Sequence, residues 1–307
     1  MSFSIIIPYY NREKFLQRTL DSVAKQTIRP KELILVDNGS TDNSVEICRQ
    51  FAKKYNDESF KIILIEELQK GACAARNTGA KYASGKYLYF FDSDDIMSPS
   101  FVEDINKYPL KNEKYDLIAV RTNIILPNGT EYKRKSYYKT SVVDQIILST
   151  LSTQSCVLKK KFFEEIGQWD ETLPCWNDWE LGIRIMLASP NILWIKKPSY
   201  HSIISHPESI TGDSFSKRYE QINKSINQAR IDIGDNIKAQ KALTALQIIT
   251  AGKIYKEGNR DLSREIFVFT NKTKHKFPLQ KLFSIYCQKI SIGSWWIYRN
   301  ILSKFIN

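Results

Sequence analysis

The first hundred residues alternate short apolar runs with amphipathic stretches, and that alternation leaves few folds open. SIIIP (4–8), ELILVD (32–37), KIILIEE (61–67) and KYLYFFD (86–92) have strand length and are rich in Ile, Leu, Val and aromatic residues. Between them, Arg12–Thr27 carries Phe15, Leu16, Leu20, Val23 and Ala24 at helical spacing, and Ser40–Tyr55 and Gly71–Ala83 read as two further helices. Near-continuous apolar strands separated by helices specify a mostly parallel sheet with right-handed crossovers. Such sheets bind ligands beyond the carboxyl ends of their strands, so the residues just after each strand carry the chemical information.

From Asp116 the pattern changes. DLIAVRTNIIL, Pro127-Asn128-Gly129 and TEYKRKSYY predict a hairpin turning at Asn128-Gly129. A helix near 142–151, a strand near 155–159 and a helix after Trp176 follow. Beyond about residue 213 the pattern is helical throughout (214–232, 236–257, 261–270, 279–305). The expected organisation is an α/β catalytic domain over 1–212 and a helical region over 213–307.

Charge divides at the same place. Residues 1–212 hold 28 Lys+Arg against 26 Asp+Glu, whereas residues 213–307 hold 17 against 7. The net charge of +12 is therefore concentrated in the last third, which points to an anionic partner there. With 42% hydrophobic and 25% charged residues the chain is neither disordered nor low-complexity. No uncharged stretch approaches the ~18 residues of a spanning helix. The N-terminus lacks a basic n-region and reads as a strand rather than a signal peptide. Five scattered Cys without a CxxC predict reduced thiols in a cytoplasm and no zinc site.

The strand ends are rich in polar groups. Strand one runs into Pro8-Tyr9-Tyr10-Asn11-Arg12, strand two into Asp37-Asn38-Gly39-Ser40-Thr41-Asp42, and strand four into Asp92-Ser93-Asp94-Asp95. The third helix carries Arg76, and Trp176-Asn177-Asp178-Trp179-Glu180 comes much later. An Asp-x-Asp triplet at a crevice can hold a divalent cation that in turn holds phosphate oxygens; the other reading is a solvated turn before a helix. Asp37 can accept from a base N3–H or a ribose hydroxyl, or simply cap an Asx turn. Tyr10 can stack on a base or pack. Arg76 can neutralise a nucleotide or sit solvated.

Taken together and in order, SIIIPYYNR, LILVDNGSTD, GACAARNTGA, YLYFFDSDD and IGQWDETLPCWNDWELGIRI resemble the family 2 glycosyltransferases of GT-A fold, over roughly residues 3–212. The resemblance implies that Pro8, Tyr10 and Asn11 line a nucleotide pocket. It implies that Asp37 bonds the base with Arg76 beside it, that Asp92 and Ser93 face ribose and diphosphate, and that Asp94 binds Mn²⁺ or Mg²⁺. The family's acidic motif is usually Glu-Asp followed by Trp. Here Asn177 replaces the Glu, and Asp178 keeps the position of the base that deprotonates the acceptor hydroxyl in a single inverting displacement. Asp178 can equally be an N-cap. Trp176 and Trp179 can stack on a sugar or pack in a core. His206, in HSIISHPESIT, matches a family His that binds metal or diphosphate, but Ile204 stands where an Arg is expected.

The implied partners are a nucleotide-sugar donor, UDP-linked by this reading, and a glycan or lipid-linked glycan acceptor of cell-surface polysaccharide synthesis. The tail from Leu279 to Phe305 repeats apolar and aromatic residues with only basic charges, which suits either an anionic membrane surface touched by residues 272–307 or packing on the catalytic domain. Apolar residues outnumber bases there, so nucleic acid is not expected. Two other functions compete. A sugar-nucleotide pyrophosphorylase would need a Gly-rich, basic phosphate loop where Tyr-Tyr-Asn-Arg stands. A non-catalytic nucleotide- and membrane-binding scaffold would have no use for Asp92, Asp94 and Asp178. The GxGxxG and Walker A patterns are both absent.

Overall fold

The computed structural model describes residues 3–108, 114–126, 128–133, 140–204, 214–271 and 295–307. Two compact units divide the chain. The first comprises residues 1–138, 151–172 and 189–207, and the second residues 139–150, 173–188 and 208–307. The sequence alone suggested one cut near 212. The second unit instead also takes in 139–150 and 173–188.

In the first unit the expected alternation appears as β1 (Phe3–Tyr9), α1 (Leu16–Ala24), β2 (Glu32–Asp37), α2 (Ser44–Tyr55), β3 (Lys61–Glu66), α3 (Ala72–Tyr82) and β4 (Tyr87–Phe90). β5 (Ile96–Met97), α4 (Phe101–Lys107), β6 (Leu117–Ile125), β7 (Glu131–Lys133), β8 (Cys156–Lys159), α6 (Lys160–Glu165) and β9 (Ile192–Ile204) complete it. The sheet order is β3-β2-β1-β4-β8-β6-β9-β5, with β7 on β6. Strands β1 to β4 pair in parallel, β8 runs antiparallel to both β4 and β6, and β9 runs parallel to β6. Six of the nine strands thus point one way, the mixed but mostly parallel sheet of the expected α/β, GT-A class. β1 and β2 are buried on both faces, which is why they read as unbroken apolar runs. The predicted hairpin joins β6 to β7. Gly129 takes φ +80°, and its N–H donates to the Leu126 carbonyl at 2.8 Å.

The sheet also explains where a ligand would meet the first unit. β1 leads to β2 and β3 on one side, while β4 lies on the other, so strand order switches between β1 and β4. Pairing of β1 with β4 ends at Ile6↔Phe90, whereas pairing with β2 continues to Tyr9↔Asp37. Pro8, which has no N–H to give, sits in β1 beyond the last β4 partner.

The second unit is helical: α5 (Val142–Leu148), α7 (Asn177–Leu187), α8 (Tyr219–Ile233), α9 (Ile237–Lys256), α10 (Arg260–Asn271) and α11 (Trp295–Ile306). Its core gathers Val143, Ile146, Trp179, Ile183, Ile226, Leu243 and Ile306. Residues 272–294 lie outside the described part. α11 packs against α5 and α9: Leu302 and Ile306 are buried, and Ser303 Oγ donates to Asp144. Among the described residues no helix is long and apolar enough to cross a membrane. Cys48, Cys73, Cys156 and Cys175 are buried.

One close approach sets a limit on α3. A Cβ added at Gly79 would lie 2.4 Å from Ile6 Cγ2 and 3.2 Å from Val36 Cγ2. Alanine in a helix interior normally gains stability over glycine, by about 1 kcal/mol. Here the clash reverses the sign. Gly79→Ala is expected to cost roughly 1–3 kcal/mol, read as a lower denaturant midpoint at unchanged slope; a raised midpoint would show that α3 is free to move off the sheet.

Candidate functional site

The carboxyl ends of β1, β2 and β4 gather most of the predicted residues. Asn11 holds the left-handed conformation at φ 50°, which a short polar side chain tolerates. Its N–H donates to Ser40 Oγ at 3.1 Å, and its Oδ1 accepts from Thr41 N–H at 2.8 Å. The loop after β1 is thereby fastened to the loop after β2. Asp37 is buried at the end of β2, and its carboxylate accepts Ser40 N–H at 3.0 and 3.2 Å. The Asx-turn reading of Asp37 is therefore realised. A carboxylate has about four acceptor positions, so this turn does not exhaust it. Tyr10 is 49% exposed, and the Lys70 ammonium lies 5.1 Å from its ring centroid. Lys70 also donates to the Asn38 carbonyl at 3.1 Å. Asn38 in turn takes Gly71 N–H at 2.7 Å and donates to the Glu67 and Gln69 carbonyls, which pins the start of α3 against the end of β2.

Arg76 projects from α3 and is 6% exposed. Its guanidinium lies 4.6 Å from the Trp169 ring centroid and donates to Asp92 Oδ1 at 2.8 Å. Two residues predicted separately for the nucleotide are thus each other's partners. Asn77 fixes Trp169 from both sides, donating to its carbonyl at 2.9 Å and accepting its N–H at 3.1 Å. The second oxygen of Asp92 accepts Gln154 Nε2 at 2.5 Å, and the same nitrogen reaches Asp95 Oδ2 at 2.6 Å. Asp95 is buried and also accepts Ile204 N–H at 3.0 Å. Burial, then the neighbouring Asp92 and Asp94 charges, push its carboxyl well above the usual range. Thr19 Oγ1 donates to the Ser93 and Asp95 carbonyls, and Arg18 donates to the Asp94 carbonyl at 2.7 Å. Every backbone carbonyl of the Ser93–Asp95 turn is held from α1.

Asp94 keeps one-fifth of its side-chain surface exposed and faces Arg12 Nε at 3.7 Å. Arg12 also anchors its own N–H on Ser44 Oγ at 2.8 Å. Arg12 therefore links the β1–β2 loops to the acidic turn after β4. Arg12 and Asp95 stand in the quoted strand-end segments without an assigned role, and Lys70 and Gln154 were not singled out from the sequence. Arg12 follows Tyr10 and Asn11 directly, which was the available signal. Gln154 carried no local signal, because its partners are 59 and 62 residues away.

In the second unit, Asp178 lies in the first turn of α7, where its Oδ1 accepts Trp179 N–H at 2.8 Å. The cap position is taken by Trp176 at φ 54°, so neither Asn177 nor Asp178 is the N-cap. Trp179 is 3% exposed, and its indole N–H donates to the Ile146 carbonyl at 3.1 Å. It is a core residue and offers no face to a sugar, which corrects that expectation. Trp176 stays partly exposed, 5.3 Å from the Trp179 ring. Glu180 is fully buried against Arg184, and desolvation pushes its carboxyl up to about 7. His206 lies outside the described residues. Among those described, no group of three or more His, Cys, Asp or Glu is disposed to hold a metal ion.

The family model for glycosyl transferase family 2 matches residues 4–167, more than half of the chain. The protein belongs to the family 2 glycosyltransferases. Among curated relatives, the glycosyltransferase GlyA of Streptococcus pneumoniae is 30% identical over 219 residues, 64% of this chain and 30% of its own length. The minor teichoic acid biosynthesis protein GgaB of Bacillus subtilis is 36% identical over 209 residues, 65% of this chain and 22% of its own. The chain thus spans less than a third of either relative. Among solved structures, S. aureus TarS 1-349 in complex with UDP-GlcNAc superposes with a TM-score of 0.63 at 19% identity, over 97% of this chain and 79% of that one. The mannosyltransferase PcManGT of Pyrobaculum calidifontis, in complex with GDP-Man and Mn2+, gives 0.60 at 14% identity, over 99% and 87%. At these identities the two structures show the fold, as the sequence motifs led us to expect.

The ion pair gives a direct test of the first unit's site. Asp92→Ala leaves the buried Arg76 guanidinium without its carboxylate and is expected to cost roughly 3 kcal/mol of unfolding free energy. The Arg76→Met/Asp92→Ala double variant recovers part of that loss. Strictly additive losses in the cycle would mean that the pair does not couple.

Proposed function

We propose that the protein is an inverting, metal-dependent glycosyltransferase. It moves a sugar from a UDP-sugar to a hydroxyl of a glycan or lipid-linked glycan in cell-surface polysaccharide synthesis. The observation that carries this reading is the acidic turn at the β1/β4 switch point. Asp92 is engaged by Arg76 and Gln154, and Asp95 by Gln154 and the Ile204 N–H. Asp94, one-fifth exposed, faces Arg12 at 3.7 Å, and Asp92 keeps 31% of its side chain exposed. A single carboxylate suits Mn²⁺ or Mg²⁺ completed by substrate phosphates and water. Asp94 would hold it; His206 is the second candidate. When bound, the ion neutralises charge on the departing diphosphate. The UDP-GlcNAc of TarS supports this choice of nucleotide, and the Mn2+ of PcManGT supports the choice of metal. The teichoic acid role of GgaB supports the acceptor class.

The chain's own residues divide the remaining work. Exposed Tyr10 stacks on the base, Asp37 accepts from the base or ribose, and Asn11 and Pro8 shape the loop between them. Ser93, buried at the turn, lies toward the ribose and diphosphate. Asp178 takes the proton of the acceptor hydroxyl. That oxygen forms its bond to the anomeric carbon while the bond to the diphosphate oxygen breaks, the electron pair leaves with the nucleotide, and configuration inverts. Trp176 is the remaining candidate for contact with the sugar or acceptor. Residues 272–307 are proposed to meet an anionic membrane surface, and equal sedimentation with anionic and neutral vesicles would contradict that.

Two substitutions separate donor binding from transfer. Asp94→Ala is expected to weaken Mn²⁺·UDP binding about tenfold or more by calorimetry; unchanged affinity would remove Asp94 from the metal assignment. Asp178→Asn is expected to bind UDP as the parent does and to lose transfer by about a hundredfold or more. Full turnover on the acceptor would end its role as base.

A further inference from the structure

β3 closes one end of the sheet, and among the described residues no strand pairs with its other side. Natural sheets blunt such an edge with a bulge, a proline, charges along it or a very short strand. The opposite end of this sheet does so with β5, which is two residues long. β3 is six residues, KIILIE, without Gly or Pro, and its register with β2 is unbroken. Its charges, Lys61 and Glu66, stand at its two ends and leave four apolar residues between them. Lys61 N–H donates to the Lys31 carbonyl at 2.9 Å, and Glu67 N–H to the Asp37 carbonyl at 2.8 Å. Residues of a strand face a given neighbour alternately, so Lys61, Ile63, Ile65 and Glu67 turn their backbone groups to β2. Ile62, Leu64 and Glu66 turn theirs outward. Asn56 Oδ1 covers the Ile62 N–H at 2.7 Å. The N–H groups of Leu64 and Glu66 and the carbonyls of Ile62 and Leu64 have no such cover among the described residues, and the Leu64 side chain is 41% exposed.

The spacing of these groups says which strand fits them. An antiparallel partner matches outward residues with outward residues. A two-fold axis makes that partner a second β3. An axis at Leu64 sets Leu64 against Leu64, Ile62 against Glu66, Ile63 against Ile65 and Lys61 against Glu67 of the second copy. The two Leu64 residues then exchange both of their backbone bonds. Each Glu66 N–H meets an Ile62 carbonyl, and Asn56 keeps its place. An axis at Glu66 would oppose two like charges, and one at Ile62 would need the N–H that Asn56 holds. An axis at Ile63 sets Lys61 against Ile65, and one at Ile65 sets Glu67 against Ile63. Of these registers the one centred on Leu64 alone joins opposite charges across the strands. We propose that β3 is a dimer interface, at which two copies of this chain join their sheets edge to edge about a two-fold axis at Leu64. Apolar and opposite-charge pairs across the strands each add to such a pairing. The surface lies wholly in the first unit, and the pairing is independent of the transferase reading. Because the two β3 strands run oppositely, the carboxyl ends of β1, β2 and β4 point in opposite directions in the two copies.

Sedimentation of the full chain, over a concentration series up to its solubility limit, tests the interface. The parent is expected to pass from monomer to dimer. Leu64→Lys sets two ammonium groups against each other at the axis and is expected to weaken the dimer about tenfold or more. Cysteine substitution reads the register independently. Residues bonded directly across antiparallel strands have Cα atoms ~5.5 Å apart, within reach of a disulfide. Leu64→Cys is therefore expected to run as a covalent dimer after mild oxidation. Glu66→Cys is expected to stay monomeric, because its counterpart in the second copy lies about 13 Å away along the strand. The parent, oxidised alongside, sets the background from its native thiols. A parent that is monomeric at every concentration, or a dimer that Leu64→Lys leaves as tight, would overturn the interface. Cross-linking of Glu66→Cys in place of Leu64→Cys would overturn the axis at Leu64.

Discussion

The ion pair between Arg76 and Asp92 is the constraint around which the first unit's site is arranged. A guanidinium buried over Trp169 is tolerable only with a carboxylate against it. Meeting that need fixes Asp92 at the end of β4, and Asp92 passes the constraint to Gln154 and through it to Asp95. The turn Ser93–Asp95 is then closed from the other side by Thr19 and Arg18. The result is an acidic turn in which Asp92 is held by Arg76 and Gln154, Asp95 by Gln154, and Asp94 faces Arg12. Preorganisation of this kind is what metal and phosphate chemistry asks of a scaffold.

The loops after β1 and β2 follow the same logic with neutral groups. Asn11, Ser40 and Thr41 tie one loop to the other, and Asn38 ties both to the start of α3. Arg12 bridges this set and the acidic turn. A nucleotide bound at the switch point would thus meet groups whose positions are already fixed by hydrogen bonds. The conformational cost of ordering them was met during folding.

Much of this was legible in the chain. β1, β2 and β4 are apolar because both faces are covered, and Asp37, Asp92 and Asp94 were found because they stand at the ends of such strands. What stayed hidden depends on distance along the chain. Nothing local marks Gln154 as the partner of Asp92 and Asp95, or Arg76 as the counter-ion of Asp92. β9 is thirteen residues long but carries two lysines and a proline, which break the strand pattern. α5 and α7 were readable as helices, yet periodicity does not say which core they join, and they fall in the second unit. Trp179 shows the same limit: an indole beside an acidic pair reads equally well as a platform or as core, and its bond to the Ile146 carbonyl decides for core.

The central claim is that a pyrimidine nucleotide docks where β1, β2 and β4 end. Photolabelling with 5-azido-UDP, followed by peptide mapping, reads this out with no acceptor required. The label is expected in the peptides spanning 9–12 and 37–41, suppressed by excess UDP. UDP-sensitive labelling confined to residues 214–271, with those two peptides clean, would contradict the account.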